Sequence, residues 1–338
     1  MLDVPQDRTT RWSKSVLSLL LFKAIGRQDL EVAELLLRNH ADANAFSAAG
    51  ITALIDAIRE KDVDIVKLLI AYGANVRATS MGSSFPPIYL ALFERSGNVL
   101  QQLIDAKVST DWRYSSGNSL LYHAVVQDAH NCLQVLLDAG LRPDRHQSFC
   151  ISLLHYAVRL RNPRIVKMLL SHGVEIRDEE GQGVYLLMKT ISNGDDHVAE
   201  LLVDAGANVH FHSHDVSLTW HAILSERETI LETLLRGGAD VNYQDPRGWS
   251  LLYFAMMRRH VPVIKALLEG GADPNWTNHA GIPLLFLTLR VEDVELALLL
   301  IRHGADVNWS DPWGRPVIDH PHLDLSPMVK SYMRRRQT

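Results

Sequence analysis

A short tag that recurs along the whole chain constrains its fold more than any other feature. Tyr72-Gly73-Ala74-Asn75-Val76, Ala205-Gly206-Ala207-Asn208-Val209, Gly237-Gly238-Ala239-Asp240-Val241, Gly270-Gly271-Ala272-Asp273-Pro274 and His303-Gly304-Ala305-Asp306-Val307 are copies of one another. Gly140 and Gly173 hold the same place in weaker copies, and His40 and Lys107 in degenerate ones. The nine equivalent positions, 40, 73, 107, 140, 173, 206, 238, 271 and 304, are separated by 33, 34, 33, 33, 33, 32, 33 and 33 residues. A period of this length marks a supersecondary unit that cannot bury its apolar face alone and stacks on its neighbours. The 338 residues therefore do not divide into the two or three globular domains that length alone suggests.

Each copy carries its own structural logic. Before the tag lies an apolar run such as Ile65-Val66-Lys67-Leu68-Leu69-Ile70 or Ile165-Val166-Lys167-Met168-Leu169-Leu170, with Lys turned outward. That spacing predicts a helix. Glycine at the tag ends it, because the residue after a helix commonly takes a left-handed conformation. A shorter helix precedes this one. It opens at Thr52, Ser119, Ser152, Ser217 or Ser250, whose hydroxyls can cap the first turn, or at Pro86 and Pro283, where a missing N–H costs little. Five to six residues on come Ala24, Ala57, Ala91, Ala124, Ala157, Ala222 and Ala255, with Thr190 and Thr288 completing a series of small residues where neighbouring copies pack.

Ser152-Leu153-Leu154-His155-Tyr156-Ala157 and Gly50-Ile51-Thr52-Ala53-Leu54 resemble the Gly-x-Thr-Pro-Leu-His-x-Ala motif of the ankyrin-repeat family, and Gly304-Ala305-Asp306-Val307-Asn308 is similar to its hairpin motif. The histidine of the short motif survives only at His155; Phe22, Tyr89, Tyr122, Trp220, Tyr253 and Phe286 replace it elsewhere. The resemblance spans roughly residues 15–336 and implies an all-α ankyrin-repeat solenoid. The expected organisation is a polar segment at residues 1–14, about nine helix-turn-helix and hairpin repeats over 15–310, and a degenerate C-terminal capping repeat over 311–338. The run Arg334-Arg335-Arg336 reads as the solvated end of the last helix.

The family resemblance implies binding through the hairpin tips and a concave face lined by the short helices. The expected function is a protein–protein interaction adaptor or scaffold, and the second reading is small-molecule binding or catalysis in the concave groove. Beside the hairpin position the repeats carry Trp112, Arg145, Asp178, Phe211, Tyr243, Trp276 and Trp309, of which the last four form an aromatic ladder. Trp249 and Trp313 lie in loops leading to the next short helix. Tryptophan is the side chain most enriched at interface hot spots. Before the small residue, the short helices carry Lys23, Asp56, Leu90, His123, Tyr156, Lys189, His221, Phe254 and Leu287; one turn later come Arg27, Glu60, Glu94, Gln127, Leu160, Asn193, Ser225 and Arg258. The expected binding residues are Tyr243, Trp249, Phe254, Arg258, Trp276, Trp309 and Trp313, with a protein as the partner.

No motif carries chemistry outright. A catalytic groove would draw on His123, Tyr156, Lys189 and His221, which lie on consecutive repeats. Packed helices stand about 8–10 Å apart, whereas acid–base partners meet at about 3 Å, so these residues need a bridging substrate. His210, His212 and His214 alternate in a hairpin and could face one side, but no Cys or acidic ligand completes a zinc spacing. No phosphate loop or serine nucleophile motif is present. The reading is no resident metal, no cofactor and no catalytic set.

A net charge of −5 argues against nucleic acid, which selects strongly basic surfaces. The apolar run Val16–Phe22 ends at Lys23, falls in register with the repeat, and is far short of the ~20 residues that span a bilayer. Cys132 and Cys150 are too few for a disulfide framework. Together these features predict an intracellular protein, cytoplasmic or nuclear, without membrane contact.

Overall fold

The computed structural model describes residues 13–80, 85–114, 117–143, 153–176, 182–210, 212–213, 216–320, 323, 325 and 327–337. It is built from pairs of antiparallel helices grouped in two compact units, one of residues 1–160 and 164–174 and one of residues 161–163 and 175–338. In the first unit the pairs are α1 (Lys14–Gly26) with α2 (Leu30–Arg38), α3 (Ala53–Arg59) with α4 (Val63–Ala71), α5 (Pro87–Phe93) with α6 (Gly97–Asp105), α7 (Leu120–Val126) with α8 (His130–Asp138), and α9 (Leu153–Arg159) followed by α10 (Pro163–Ser171). In the second they are α11 (Gln182–Asn193) with α12 (Asp196–Asp204), α13 (Leu218–Leu224) with α14 (Glu228–Arg236), α15 (Leu251–Met257) with α16 (Val261–Glu269), and α17 (Leu284–Arg290) with α18 (Val294–Arg302). A 3-10 turn at Val317–Asp319 and α19 (Pro327–Gln337) follow.

The first helices of successive pairs stack in one row and the second helices in another. In the first unit α1, α3, α5, α7 and α9 form the inner row, and in the second α11, α13 and α15 do so. The small residues sit where those rows touch: Ala24, Ala57, Ala91, Ala124, Ala157, Ala222 and Ala255 are all buried. Thr190 and Thr288 are buried too, each returning its hydroxyl proton to its own helix, at Leu186 O (2.6 Å) and Leu285 O (2.8 Å). That bond removes the cost of burying a bare hydroxyl.

The caps form where the sequence places them. Thr52, Ser119, Ser217 and Ser250 each accept from the backbone N–H three residues on, at 3.0–3.3 Å. Pro86 and Pro283 stand at the same place without a side-chain bond. At the far end of each repeat His40 and Lys107 take φ of +66° and +57°, the left-handed turn that Gly73 (+82°) and Gly140 (+86°) make without a Cβ. Between pairs the chain runs out as a hairpin. Its closure is a two-residue ladder at His212–Ser213 with Val216–Ser217, and single bridges such as Gln244 with Ser250 and Thr277 with Pro283 elsewhere.

Two kinds of stitch tie one repeat to the next. On the hairpin side, Asn44 donates to Gly73 O (3.0 Å) and accepts from Asn75 N–H (2.7 Å). Asn275 repeats this clasp with Gly304 O (3.2 Å) and Asp306 N–H (2.7 Å), and Asn242 accepts from Asp273 N–H (2.8 Å). The equivalent positions in between hold Arg77, Asp111, Asp144, Arg177 and His210 in place of asparagine; an arginine side chain only donates and a carboxylate only accepts. On the opposite side, the turn joining the two helices of a pair passes through a residue at positive φ. Gln28, Lys61, Arg95, Asp128, Arg161, Glu226, Arg259 and Glu292 lie there at +54° to +59°. A left-handed backbone costs a non-glycine residue about 1–2 kcal/mol. Many of these side chains reach the next pair: Gln28 to Glu60 O (3.3 Å), Lys61 to Glu94 (3.7 Å), Arg161 to Asp195 (2.8 Å) and Arg259 to Asp293 (3.0 Å). Gly194 is the departure, at φ +70°, with the guanidinium of Arg227 lying where a Cβ would stand.

Candidate binding site

The second unit sets its tryptophans through a repeated loop. Asp245 accepts from Arg247 N–H (3.0 Å) and Trp249 N–H (2.7 Å), and Asp311 accepts from Trp313 N–H and Arg315 N–H (both 2.9 Å). Burial pushes the Asp311 carboxyl up, yet the backbone N–H groups of Arg315 and Trp313, with the charges of Arg315 and His320, bring it net below the usual carboxylate range. The loop therefore holds a fixed anion at its centre.

These loops present their rings differently. Trp249 leans on Tyr253, with ring centroids 4.6 Å apart. Trp276 packs on the same Tyr253 at 4.9 Å and donates its indole N–H to Gly248 O (3.2 Å). Trp309 packs on Phe286 (5.3 Å), whose other edge meets His320 (4.8 Å). Tyr243 is half-buried, as are Trp249, Trp276 and Trp309. Trp313 is 77% exposed, with the Arg315 guanidinium 5.6 Å from its ring. The side chains of Arg145, Asp178 and Phe211 lie outside the described residues.

The inner row of the second unit carries the other expected residues. Phe254 stacks on Trp220 at 4.4 Å, and Arg258 reaches Glu226 at 3.3 Å. Beside them stand apolar side chains that pattern reading passed over. Leu224 ends α13 at 41% exposed, Met257 ends α15 at 62%, and Val291 follows α17 at 63%. Between α15 and α17 opens a groove of about 420 Å³, lined in part by Tyr253, Met256, Met257, Leu287, Val291 and Leu296. The sequence pattern alone does not mark the groove: apolar residues also end short helices at Phe93 and Val126, and Arg290 ends α17 itself.

The four titratable candidates divide between the units. In the first, His123 is edge-on to Tyr89 (5.3 Å), Tyr114 (5.7 Å) and Tyr122 (5.6 Å), and its Nε2 is buried without a hydrogen-bond partner among the described residues. Burial pushes its pKa below the usual histidine value. Tyr156 meets Tyr122 edge-on at 5.0 Å and carries the Arg159 guanidinium 4.8 Å above its ring. The hydrogen bond that the Tyr122 hydroxyl gives to Tyr156, with burial, raises the Tyr122 pKa. In the second unit Lys189 lies half-buried on α11 and His221 half-buried on α13. His210 is exposed, while the side chains of His212 and His214 lie outside the described residues. Among the described residues no group of three or more His, Cys, Asp or Glu side chains has metal-binding geometry. Burial lifts the Cys132 thiol to about 11, which leaves it a core group rather than a nucleophile; Cys150 lies outside the described residues.

The family described as ankyrin repeats (three copies) matches residues 17–80, 154–245 and 218–311, more than half of the chain. The chain belongs to the ankyrin-repeat family. An ankyrin repeat protein of Acanthamoeba polyphaga mimivirus is 26% identical over 103 residues, covering 30% of this chain and 14% of the viral protein. The match thus spans about a seventh of that relative. Among solved structures, the ankyrin repeat domain of Bcl-3, a member of the IκB protein family, superposes with a TM-score of 0.50 at 22% identity, over 64% of this chain and 97% of that one. This likeness is one of fold.

Ankyrin repeats generally mediate protein–protein interaction. In this ankyrin-repeat chain the second unit carries an exposed tryptophan, Trp313, and a groove lined largely by apolar side chains between α15 and α17. No described helix is long and apolar enough to cross a membrane.

Proposed function

We propose that the protein is an adaptor that holds a protein partner against the inner helices and hairpin loops of its second unit. The observation that carries this reading is the pair Met257 and Val291, more than three-fifths exposed beside the groove between α15 and α17. Large apolar side chains left in water at neighbouring positions mark a surface that is covered in use. Trp313 supplies a second anchor of the kind that dominates interface energies, with Tyr243, Trp249, Phe254, Arg258, Trp276 and Trp309 framing the surface.

Two further assignments support the adaptor role. Residues 311–338 form the capping end of the stack: Val329 and Met333 are buried while Arg334 and Arg335 are exposed, as a terminal repeat facing water requires. The working compartment is intracellular, cytoplasmic or nuclear, in keeping with the unpaired, buried thiol of Cys132.

Affinity capture from cell extract, followed by identification of bound proteins, tests the reading. Wild type is compared with a Trp249→Ala/Trp313→Ala variant and a Met257→Glu variant, each shown to be folded by circular dichroism. Partners recovered with wild type are expected to fall at least about tenfold with either variant. Unchanged recovery from both folded variants overturns the proposal.

A further inference from the structure

The groove between α15 and α17 also indicates the chemistry of what fills it. Its floor and walls are apolar: Met256, Leu287 and Leu296 below, Met257 and Val291 at the lip. Two methionines side by side make an adaptable wall, since the unbranched thioether fits side chains of different shape. The charged groups lining this apolar slot are Arg259, Arg290 and Asp293.

These three are not equally available. Asp293 is only 17% exposed in its side chain, caps α18 by accepting from Leu296 N–H (3.2 Å), and receives Arg259 Nη2 at 3.0 Å. Arg259 is 71% exposed and gives only one edge to Asp293. Arg290 is exposed and forms no ion pair among the described residues. A cation arriving at the groove meets a carboxylate that is covered and already paired. A carboxylate arriving there meets the open guanidinium fork of Arg290 and the remaining edge of Arg259, and guanidinium is the group best suited to bind it. Acidic groups do stand nearby, at Glu292 next to Val291, at Glu295 next to Leu296 and at Glu226 held by Arg258, but none of them lines the slot.

We infer that the groove seats an acidic segment of the partner protein, which inserts a large apolar side chain between Met257 and Val291 and sets flanking carboxylates on Arg259 and Arg290. The inference rests on the protein-interaction reading and narrows it to one site and one class of sequence. A chain that is itself net acidic recruits an acidic segment only through a local patch of this kind, so the contact is selective for where the carboxylates fall.

The test pans the full-length protein against a phage-displayed library of random linear peptides. Enriched peptides are resynthesised with a fluorophore and titrated by anisotropy. Peptides bearing a large apolar residue flanked by Asp or Glu are expected. They should lose at least about tenfold in affinity for Met257→Glu and for Arg290→Glu, and little for the outer-helix control Lys265→Glu. Binding should also weaken as salt rises from about 0.15 M to about 1 M. A selection that enriches nothing, that enriches neutral or basic peptides, or that enriches peptides indifferent to the groove variants overturns the inference. So does a wild-type dimer that Met257→Glu converts to monomer, because the occupant is then a second copy. A captured partner lost with Trp249→Ala/Trp313→Ala but retained by Met257→Glu would keep the adaptor reading and remove this one.

Discussion

The first unit gathers most of its described aromatic side chains into one cluster, whereas the second sets them out in small groups. Around Tyr89, the rings of Phe85, Phe93, Trp112, Tyr114 and His123 lie 4.7–6.5 Å away. Most of the edges and faces there are taken by another ring of the same chain. In the second unit Trp220 pairs with Phe254, Trp249 and Trp276 share Tyr253, and Trp309 meets Phe286. Among the described residues each of these groups joins two neighbouring repeats, and Met257, Val291 and Trp313 remain largely exposed. Aromatic content alone therefore does not mark a binding surface. What matters is whether the rings satisfy one another.

The comparison can be broken most forcefully at Tyr89. Replacing this buried hub with alanine should lower stability by about 3–5 kcal/mol, read from urea unfolding. Tyr253→Ala, half-buried in a group of three rings, should cost about half as much. Equal losses would mean that the two arrangements are energetically alike.

Next in size is a paired exchange on the inner rows. Met257→Glu with Val291→Glu should reduce partner affinity by at least about 1.4 kcal/mol, a tenfold loss, while stability moves by about 0.5 kcal/mol or less. Phe93→Glu in the first unit should do the reverse. Its ring is exposed yet packs on Tyr89 at 6.5 Å, so melting temperature falls and partner capture persists.

A smaller effect sharpens the contrast in backbone. The degenerate tags of the first unit hold His40 and Lys107 at positive φ, so Lys107→Gly should stabilise by about 0.5–1 kcal/mol, the relieved strain less the added chain entropy. Denaturant midpoints of the two proteins decide it.

The finest distinction lies in pH. His123 and His155, both in the first unit, have pKa values lowered by burial. The unfolded chain then takes up protons first, so stability falls as pH drops below the ordinary value of 6.5 and levels off beneath the folded pKa. Asp311, in the second unit, is lowered from 3.8; its contribution is present above that value and disappears as pH falls through the folded pKa. Urea unfolding at about pH 7 and about pH 5.5 should show a stability loss that shrinks in a His123→Gln/His155→Gln variant and is untouched by Asp311→Asn.

Much of the fold was legible because its signals are local. The stop at Gly73 or Gly304, the cap at Ser250 and the small residue at Ala255 each state a backbone or packing requirement in one letter, and the period multiplies them. His40 and Lys107 could be placed only through that period, since neither residue type announces a left-handed turn. The groove was less legible for a physical reason. Met257 and Val291 look like core residues to any periodicity argument, and only the spacing of α15 and α17 reveals that nothing covers them. The tryptophans show the converse. Trp249 and Trp313 read alike in sequence, each in a loop leading to the next short helix, but Trp249 leans on Tyr253 whereas Trp313 stands exposed.

The turns between paired helices have a consequence for how such a chain diversifies. At that one register Gln28, Lys61, Arg95, Asp128, Arg161, Glu226, Arg259 and Glu292 share a backbone shape while differing in charge and length. The shape does not depend on the identity, and none of these side chains belongs to the core. One edge of each unit is thus a strip whose letters vary at a constant backbone shape, some of them reaching the next pair. Mutation can rewrite its charge pattern, and with it the choice of neighbour along the groove at Arg259, without disturbing the buried grammar that keeps the repeats stacked.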